Sequence, residues 1–217
     1  MTIISPSLLS CDFLNIEPEL RVFDSATDFW FHLDIMDGHF VPNLTFGHPI
    51  IEKICKATNQ KCDAHFMVTN PEFHAETLKR AGIHNFTFHF EALLDSLSLI
   101  KTIKADYPSV GISIKPKTSA SKLTDEILKA VDLVLIMSVE PGFGGQAFMP
   151  EAYDKIRELK HRREKLGAHF QIQVDGGVSD QNAKELIKAG ADNLVAGSYV
   201  FKKGKDHYLS AVESLRT

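Results

Sequence analysis

The chain has 217 residues and is poor in several features that would mark other functions. It has 3 cysteines, Cys11, Cys55 and Cys62, with no CxxC spacing. That argues against a disulfide framework and for reduced thiols in a cytoplasmic setting. No window approaches the roughly 18 apolar residues of a membrane span. The apolar start around Leu8 and Leu9 is preceded by no Lys or Arg and is interrupted by Pro6. It reads as a first strand rather than a secretory signal. There is no long basic run, and the formal net charge is -4. A general nucleic-acid binder needs a concentrated cationic surface, so that class is excluded. No linker rich in Pro, Gly or Ser divides the chain, and no GxGxxG follows a first strand.

What is present is ordinary for a globular protein: 44% hydrophobic and 24% charged residues, enough for a sizeable core. Apolar runs predict strands over 3–9, 29–34, 62–67, 85–90, 110–115, 133–137, 170–174 and 193–196. Helical spacing predicts helices over 14–23, with Asn15 as a cap, and over 49–57, 71–81, 93–105, 120–130, 151–166, 180–189 and 206–215. Ala26-Thr27-Asp28-Phe29, Ala81-Gly82-Ile83-His84, Ala130-Val131-Asp132-Leu133 and Ala189-Gly190-Ala191-Asp192 each join a helix end to an apolar strand. They recur roughly every 50–60 residues, as a repeated βαβα unit would. Strict alternation implies a parallel sheet with right-handed crossovers. The expected fold is α/β, a single-domain (β/α)8 TIM barrel over 1–217, with an open doubly wound sheet as the alternative.

The stretch 30–43, WFHLDIMDGHFVPN, organises the rest. His32 and Asp34 are two apart in a strand and so share a face. A barrel gathers the C-terminal strand ends at one mouth, which brings Ser7, His32, Asp34, His65 and Asp175 together. Two imidazoles and two carboxylates form a mixed nitrogen–oxygen set suited to one divalent ion: Zn, Fe(II), Mn or Co. His39, His48, His74, His84, His161, His169 and His207 fall in predicted helices or loops and are expected to be solvated or locally bonded. His89 lies in strand four and is a reserve ligand.

Glycines form a second constellation. Gly142-Phe143-Gly144-Gly145, Gly176-Gly177 and Gly197-Ser198 follow strands six, seven and eight, without Lys or Arg. Singly, each pair reads as a turn. On consecutive barrel loops they favour a phosphate held by backbone N–H groups. Met36, Met67 and Met137 also end or follow strands at the mouth. They read as core, or more sharply as a water-poor lining around a reactive intermediate.

With these residues in place, the chain resembles the ribulose-phosphate 3-epimerase family over nearly its whole length. The likeness rests on Ser5-Pro6-Ser7-Leu8-Leu9, the run from His32 to Asn43, His65 with Met67-Val68, the run from Val139 to Gln146, Val174-Asp175-Gly176-Gly177-Val178 and Ala196-Gly197-Ser198. The resemblance implies a (β/α)8 barrel, one divalent metal and interconversion of D-ribulose 5-phosphate and D-xylulose 5-phosphate, a pentose phosphate pathway step. It implies His32, Asp34, His65 and Asp175 as ligands, with Asp34 and Asp175 also acting as acid and base. It implies Ser7, His65, Gly142, Phe143, Gly144, Gly145, Asp175, Gly176, Gly177, Gly197 and Ser198 as substrate contacts. Phe66 and Tyr199 depart from the family pattern, and Tyr199 could crowd the phosphate loop or cap it. A related family acts on D-allulose 6-phosphate, and the glycine pairs favour the pentulose branch. A phosphosugar aldolase or lyase would need a Schiff-base lysine, for which Lys115 is the candidate; a non-enzymatic phosphosugar-binding module would leave both aspartates superfluous. Self-association is expected, with Phe23, Phe29 and Trp30 covered by a second copy.

Overall fold

The computed structural model describes residues 1–216. Its strands are β1 (Ile3–Ser5), β2 (Trp30–Met36), β3 (Lys61–Met67), β4 (Asn85–His89), β5 (Ser109–Ile114), β6 (Leu133–Met137), β7 (Gln171–Asp175) and β8 (Asn193–Val195). All pairings are parallel, in the order β1-β8-β7-β6-β5-β4-β3-β2. The ring closes through isolated parallel bridges, Ile4 to Phe29 and Ser7 to His32. There Ile4 N donates to Asp28 O at 3.1 Å and His32 N donates to Pro6 O at 3.1 Å. Closure distinguishes the barrel from an open doubly wound sheet, whose outer strands stay unpaired.

The helices that follow the strands are α1 (Ile16–Arg21), α2 (His48–Ala57), α3 (Pro71–Thr77), α4 (Ser96–Ile103), α5 (Asp125–Ala130), α6 (Ala152–Leu166), α7 (Ala183–Ala189) and, after β8, α8 (Ser198–Phe201) and α9 (Tyr208–Ser214). Several are shorter than spacing predicts, because local hydrogen bonds set their ends. Asp95 accepts from Ser98 N and starts α4 at Ser96 rather than at 93. Thr124 accepts from Ile127 N and starts α5, so 120–122 forms a separate 3-10 turn. Asn15 stands at the cap position of α1 but makes no side-chain cap bond. The short helix α8 has no counterpart in the spacing.

The two-residue period of each strand sorts side chains between two cores. On β2, Phe31, Leu33 and Ile35, with Phe29 just before the strand, point outward into the layer packed under the helices. Phe66 of β3 stacks on Phe86 of β4 in the same layer, with ring centroids 4.1 Å apart. Leu133, Leu135, Met137 and Val139 pack with Trp30 as a separate core, while Met36, Met67 and Val41 form a small cluster. Burying each large apolar side chain stabilises the fold by roughly 1.5–3 kcal/mol. Phe23, Phe29 and Trp30 are 0%, 4% and 5% exposed within this single chain. Phe23 stacks between Phe29 and Tyr208, at 5.0 and 5.6 Å. The chain therefore covers these three aromatic residues itself, and they do not form a surface for a second copy. Among the described residues no helix is long and apolar enough to cross a membrane.

Candidate active site

Three strands supply the four side chains of the site. His32 and Asp34 come from β2, His65 from β3 and Asp175 from the last position of β7. One ligand atom from each lies within 4.8 Å of all the others. Asp34 Oδ1 stands 3.5 Å from His32 Nε2 and 3.4 Å from His65 Nδ1. Asp175 Oδ2 stands 3.9 Å from both imidazole nitrogens. Both imidazoles are fully buried, and those same two nitrogens have no hydrogen-bond partner. Two buried, unpartnered ring nitrogens facing two carboxylates leave acceptor lone pairs that a divalent ion satisfies. The residues present therefore fit the metal that the donor set suggests.

Interior polar side chains hold the cluster from behind. Asp63 Oδ2 receives His32 Nδ1 at 2.7 Å and Gln173 Nε2 at 2.6 Å, and Asp63 Oδ1 receives Asn85 Nδ2 at 2.6 Å. With its Nδ1 donating to Asp63, His32 presents Nε2 toward the cluster. Ser7 Oγ donates to Asp34 Oδ2 at 2.5 Å. Asp63, Asn85 and Gln173 are absent from the sequence-based candidates. A signal existed: Asp63 precedes His65 by two residues, as Gln173 precedes Asp175, so each shares the inward face.

The two aspartates have opposed electrostatics. Burial would raise the pKa of Asp34, but the neighbouring His32, followed by His65, holds it well below the usual carboxylate range. Burial, reinforced by the negative charge of Asp34, pushes Asp175 up to about 7. Without an ion, one carboxylate is thus ionised at neutrality while the other is poised to carry a proton. Burial opposes a charge on His32, yet Asp34 and Asp63 raise its pKa well above the ordinary value, while burial lowers that of His65.

Above the cluster is a narrow cleft, partly open to solvent. Its lining includes Ser7, Asp34, Met36, Met67, Met137, Gly142, Phe143, Gly144, Gly145, Asp175, Gly176, Gly197 and Ser198. His32 and His65 lie beneath this floor, fully covered. Gly177 is not in the lining: a Cβ there would come within 2.6 Å of Phe148 N, so it packs behind the wall. Gly176 has φ +120°, and a Cβ would meet Val139 Cγ2 at 2.5 Å, so no larger residue fits. Asn43 Nδ2 donates to Gly142 O at 2.8 Å, and Gln146 Nε2 bridges Glu140 O and Phe143 O at 2.7 and 2.8 Å. These two amides brace the glycine loop.

The other flagged residues fall outside the cleft. Tyr199 turns its hydroxyl to Ser214 Oγ at 2.8 Å, under Lys203, and does not crowd the phosphate loop. Lys115 Nζ sits 3.8 Å over the Phe40 ring rather than in the lining, which removes the support for a Schiff-base aldolase. His48 and His74 bond each other at 2.8 Å, as expected of locally bonded histidines. His89 is buried behind His65, at 2.9 Å between Nε2 atoms, and is outside the four-residue cluster.

A closed parallel barrel whose inward strand ends converge on a metal-ready cluster defines a metal-dependent barrel enzyme. Residues 3–201 match the model of the Ribulose-phosphate 3 epimerase family, and the chain belongs to that family. It is an enzyme of the isomerase class, catalysing acid–base epimerisation. Among its relatives, the ribulose-phosphate 3-epimerase cytoplasmic isoform of Oryza sativa subsp. japonica is 45% identical over 91% of this chain and 86% of its own length. A ribulose-phosphate 3-epimerase of Mycobacterium bovis is 40% identical over 99% of this chain and 91% of its own. A mutant tryptophan synthase alpha-subunit from Pyrococcus furiosus superposes with a TM-score of 0.71 at 16% identity, covering 99% of this chain and 97% of that one. A 3-hexulose-6-phosphate synthase gives 0.64 at 19% identity, covering 100% and 98%. At those identities the two structures establish the shared fold alone.

Proposed function

We propose that the chain interconverts D-ribulose 5-phosphate and D-xylulose 5-phosphate, with Asp34 and Asp175 as the paired acid and base. The observation that carries this is the convergence of two carboxylates, Asp34 and Asp175, with two buried imidazoles at the floor of a glycine-lined cleft. Inverting C3 removes a proton next to the C2 carbonyl and returns one to the other face. Two groups on opposite sides of a planar enediolate meet that need; one fixed base does not. One of Asp34 and Asp175 takes the C3 proton while the other delivers one to the opposite face, and the roles exchange in reverse. Ser7 holds the Asp34 carboxylate in place. Met36, Met67 and Met137 keep water from the enediolate.

His32 Nε2, Asp34 Oδ1, His65 Nδ1 and Asp175 Oδ2 would hold one divalent ion, for which Zn, Fe(II), Mn and Co suit the donor set. When bound, such an ion supplies Lewis-acid stabilisation of negative charge on the C2 and C3 oxygens. The amides of Gly142, Gly144, Gly145, Gly176, Gly197 and Ser198 are assigned to the phosphate, fixing which carbon meets the aspartates. Gly177 and His65 act from behind, without touching substrate. The named rice relative and the free thiols support a cytoplasmic setting. We infer that self-association would draw on exposed side chains such as Phe13, Leu44 and Phe73 instead of the three buried aromatic residues.

The test is turnover of D-ribulose 5-phosphate in deuterium oxide by wild type and Asp175→Asn, with D-allulose 6-phosphate in parallel. Deuterium at C3 in the wild-type product and loss of exchange into xylulose product in the variant are expected. Near-normal turnover by Asp175→Asn contradicts the two-carboxylate scheme, and preference for the hexulose phosphate contradicts the substrate assignment.

A further inference from the structure

His65 has two nitrogens with different duties. Nδ1 faces the cluster without a hydrogen-bond partner, and Nε2 lies 2.9 Å from Nε2 of His89. Two facing ring nitrogens share one proton, so one ring donates and the other accepts. Geometry beyond His89 decides which. His89 Nδ1 lies 3.2 Å from Glu91 Oε2. The other oxygen, Glu91 Oε1, accepts from the backbone N–H of Lys115 at 2.8 Å and from the Thr118 hydroxyl. The Lys115 N–H is a fixed donor and an ionised carboxylate is acceptor-only. His89 must therefore carry its proton on Nδ1, which leaves its Nε2 as acceptor. His65 then carries its proton on Nε2, and Nδ1 keeps its lone pair. Both rings are fully buried and in direct contact, with the Phe40 ring tilted against His89 at 4.8 Å between centroids.

We propose that Glu91 is a positioning residue for the metal centre, acting through His89 to hold His65 in the tautomer that offers Nδ1 to a cation. The proposal rests on the reading of His65 as a ligand. It accounts for a carboxylate set two residues past the end of β4 and spending both oxygens on inward donors. It also gives His89 a role as a relay of hydrogen-bond direction in place of ligation.

Glu91→Gln tests the order of donors. Glutamine has one acceptor oxygen, which the fixed Lys115 N–H takes. Its amide NH2 then faces His89 Nδ1, drives that proton to Nε2 and leaves His65 protonated on Nδ1, toward the cluster. Two readouts apply: histidine tautomers from long-range nitrogen–proton NMR spectra of metal-free and Zn-loaded protein, and the Co(II) dissociation constant from competition with a chelator. Wild type should show His65 protonated on Nε2 and His89 on Nδ1. Glu91→Gln should reverse both and weaken Co(II) binding by roughly 10–100-fold, with wild-type circular dichroism. A second pair covers poor folding of that variant: His89→Phe removes the acceptor and should lose affinity, whereas His89→Gln restores a side-chain carbonyl and should recover it. Co(II) affinity of Glu91→Gln within twofold of wild type, or wild-type His89 protonated on Nε2, overturns the proposal. Wild-type protein that takes up no Co(II) overturns the ligand reading itself, and the tautomers of the metal-free protein still decide the role of Glu91.

Discussion

Replacing Asp63 by Asn removes the charge around which the barrel interior is wired. Asp63 is fully buried and receives three donors: His32 Nδ1 at 2.7 Å, Gln173 Nε2 at 2.6 Å and Asn85 Nδ2 at 2.6 Å. Asparagine keeps one acceptor oxygen and turns the other position into a donor. If the oxygen stays with His32 and Gln173, the new NH2 faces the Asn85 amide, donor against donor. Asn85 cannot readily turn, because its Oδ1 already accepts from Ser109 Oγ at 2.6 Å. A hydrogen bond to a charged group contributes about 1.5–3 kcal/mol, and an unpaired buried donor costs about 1–3 kcal/mol. The imidazole also loses its counter-charge, so a net loss of about 3 kcal/mol is expected, toward the lower end for a broken buried ion pair. For a chain of this size each kcal/mol moves the midpoint by about 2–4 °C, so Tm should fall by about 6–12 °C. The assay is thermal unfolding in EDTA, which removes linked ion binding from the comparison. The exposed Asp180→Asn serves as control and should stay within about 0.5 kcal/mol. An Asp63→Asn protein melting within 2 °C of wild type (about 1 kcal/mol or less) would refute the wiring.

Other perturbations have equally definite outcomes. Gly176→Ala puts a Cβ 2.5 Å from Val139 Cγ2 at φ +120°, and the displaced loop should lower kcat/KM roughly 100-fold in a steady-state assay. Burial would raise the pKa of Asp37, but donors from Thr69, Phe40 and His39 hold it at about 2, below the usual carboxylate range. Its stabilising share is therefore fully present above about pH 4 and is lost as pH falls through about 2. Allowing for partial exposure, Asp37→Ala should cost about 1 kcal/mol at pH 6 by urea unfolding and approach zero near pH 2; an equal deficit at both pH values would refute the assignment. Chelation should abolish epimerisation and Mn or Zn should restore it, whereas full turnover by protein verified metal-free would remove the Lewis-acid role.

The fold was legible because strand and helix periods alternate without interruption from Ile3 to Leu215, and because β2 sorts its residues so cleanly. His32, Asp34, His65 and Asp175 stood out as titratable groups at the ends of apolar runs, and closure of the sheet made them neighbours. Asp63 and Gln173 were hidden by the same rule read incompletely. A polar residue inside an apolar run resembles an edge position until both faces of the strand are known to be covered. Helix ends were less legible. Apolar spacing runs through 93–105, yet the Asp95 cap is a local hydrogen-bond choice that outweighs it. Gly177 resembled Gly176 in sequence, and only the approach of Phe148 places it behind the wall. Phe23 and Trp30 looked available to a partner because the depth of a residue in a closed ring is a tertiary property.

The most direct measurement is anomalous diffraction from a crystal grown with Zn(II), recorded on both sides of the zinc edge. One peak is predicted, about 2.0–2.2 Å from His32 Nε2, His65 Nδ1 and an oxygen each of Asp34 and Asp175. A strong peak elsewhere with none at these four atoms would contradict the account.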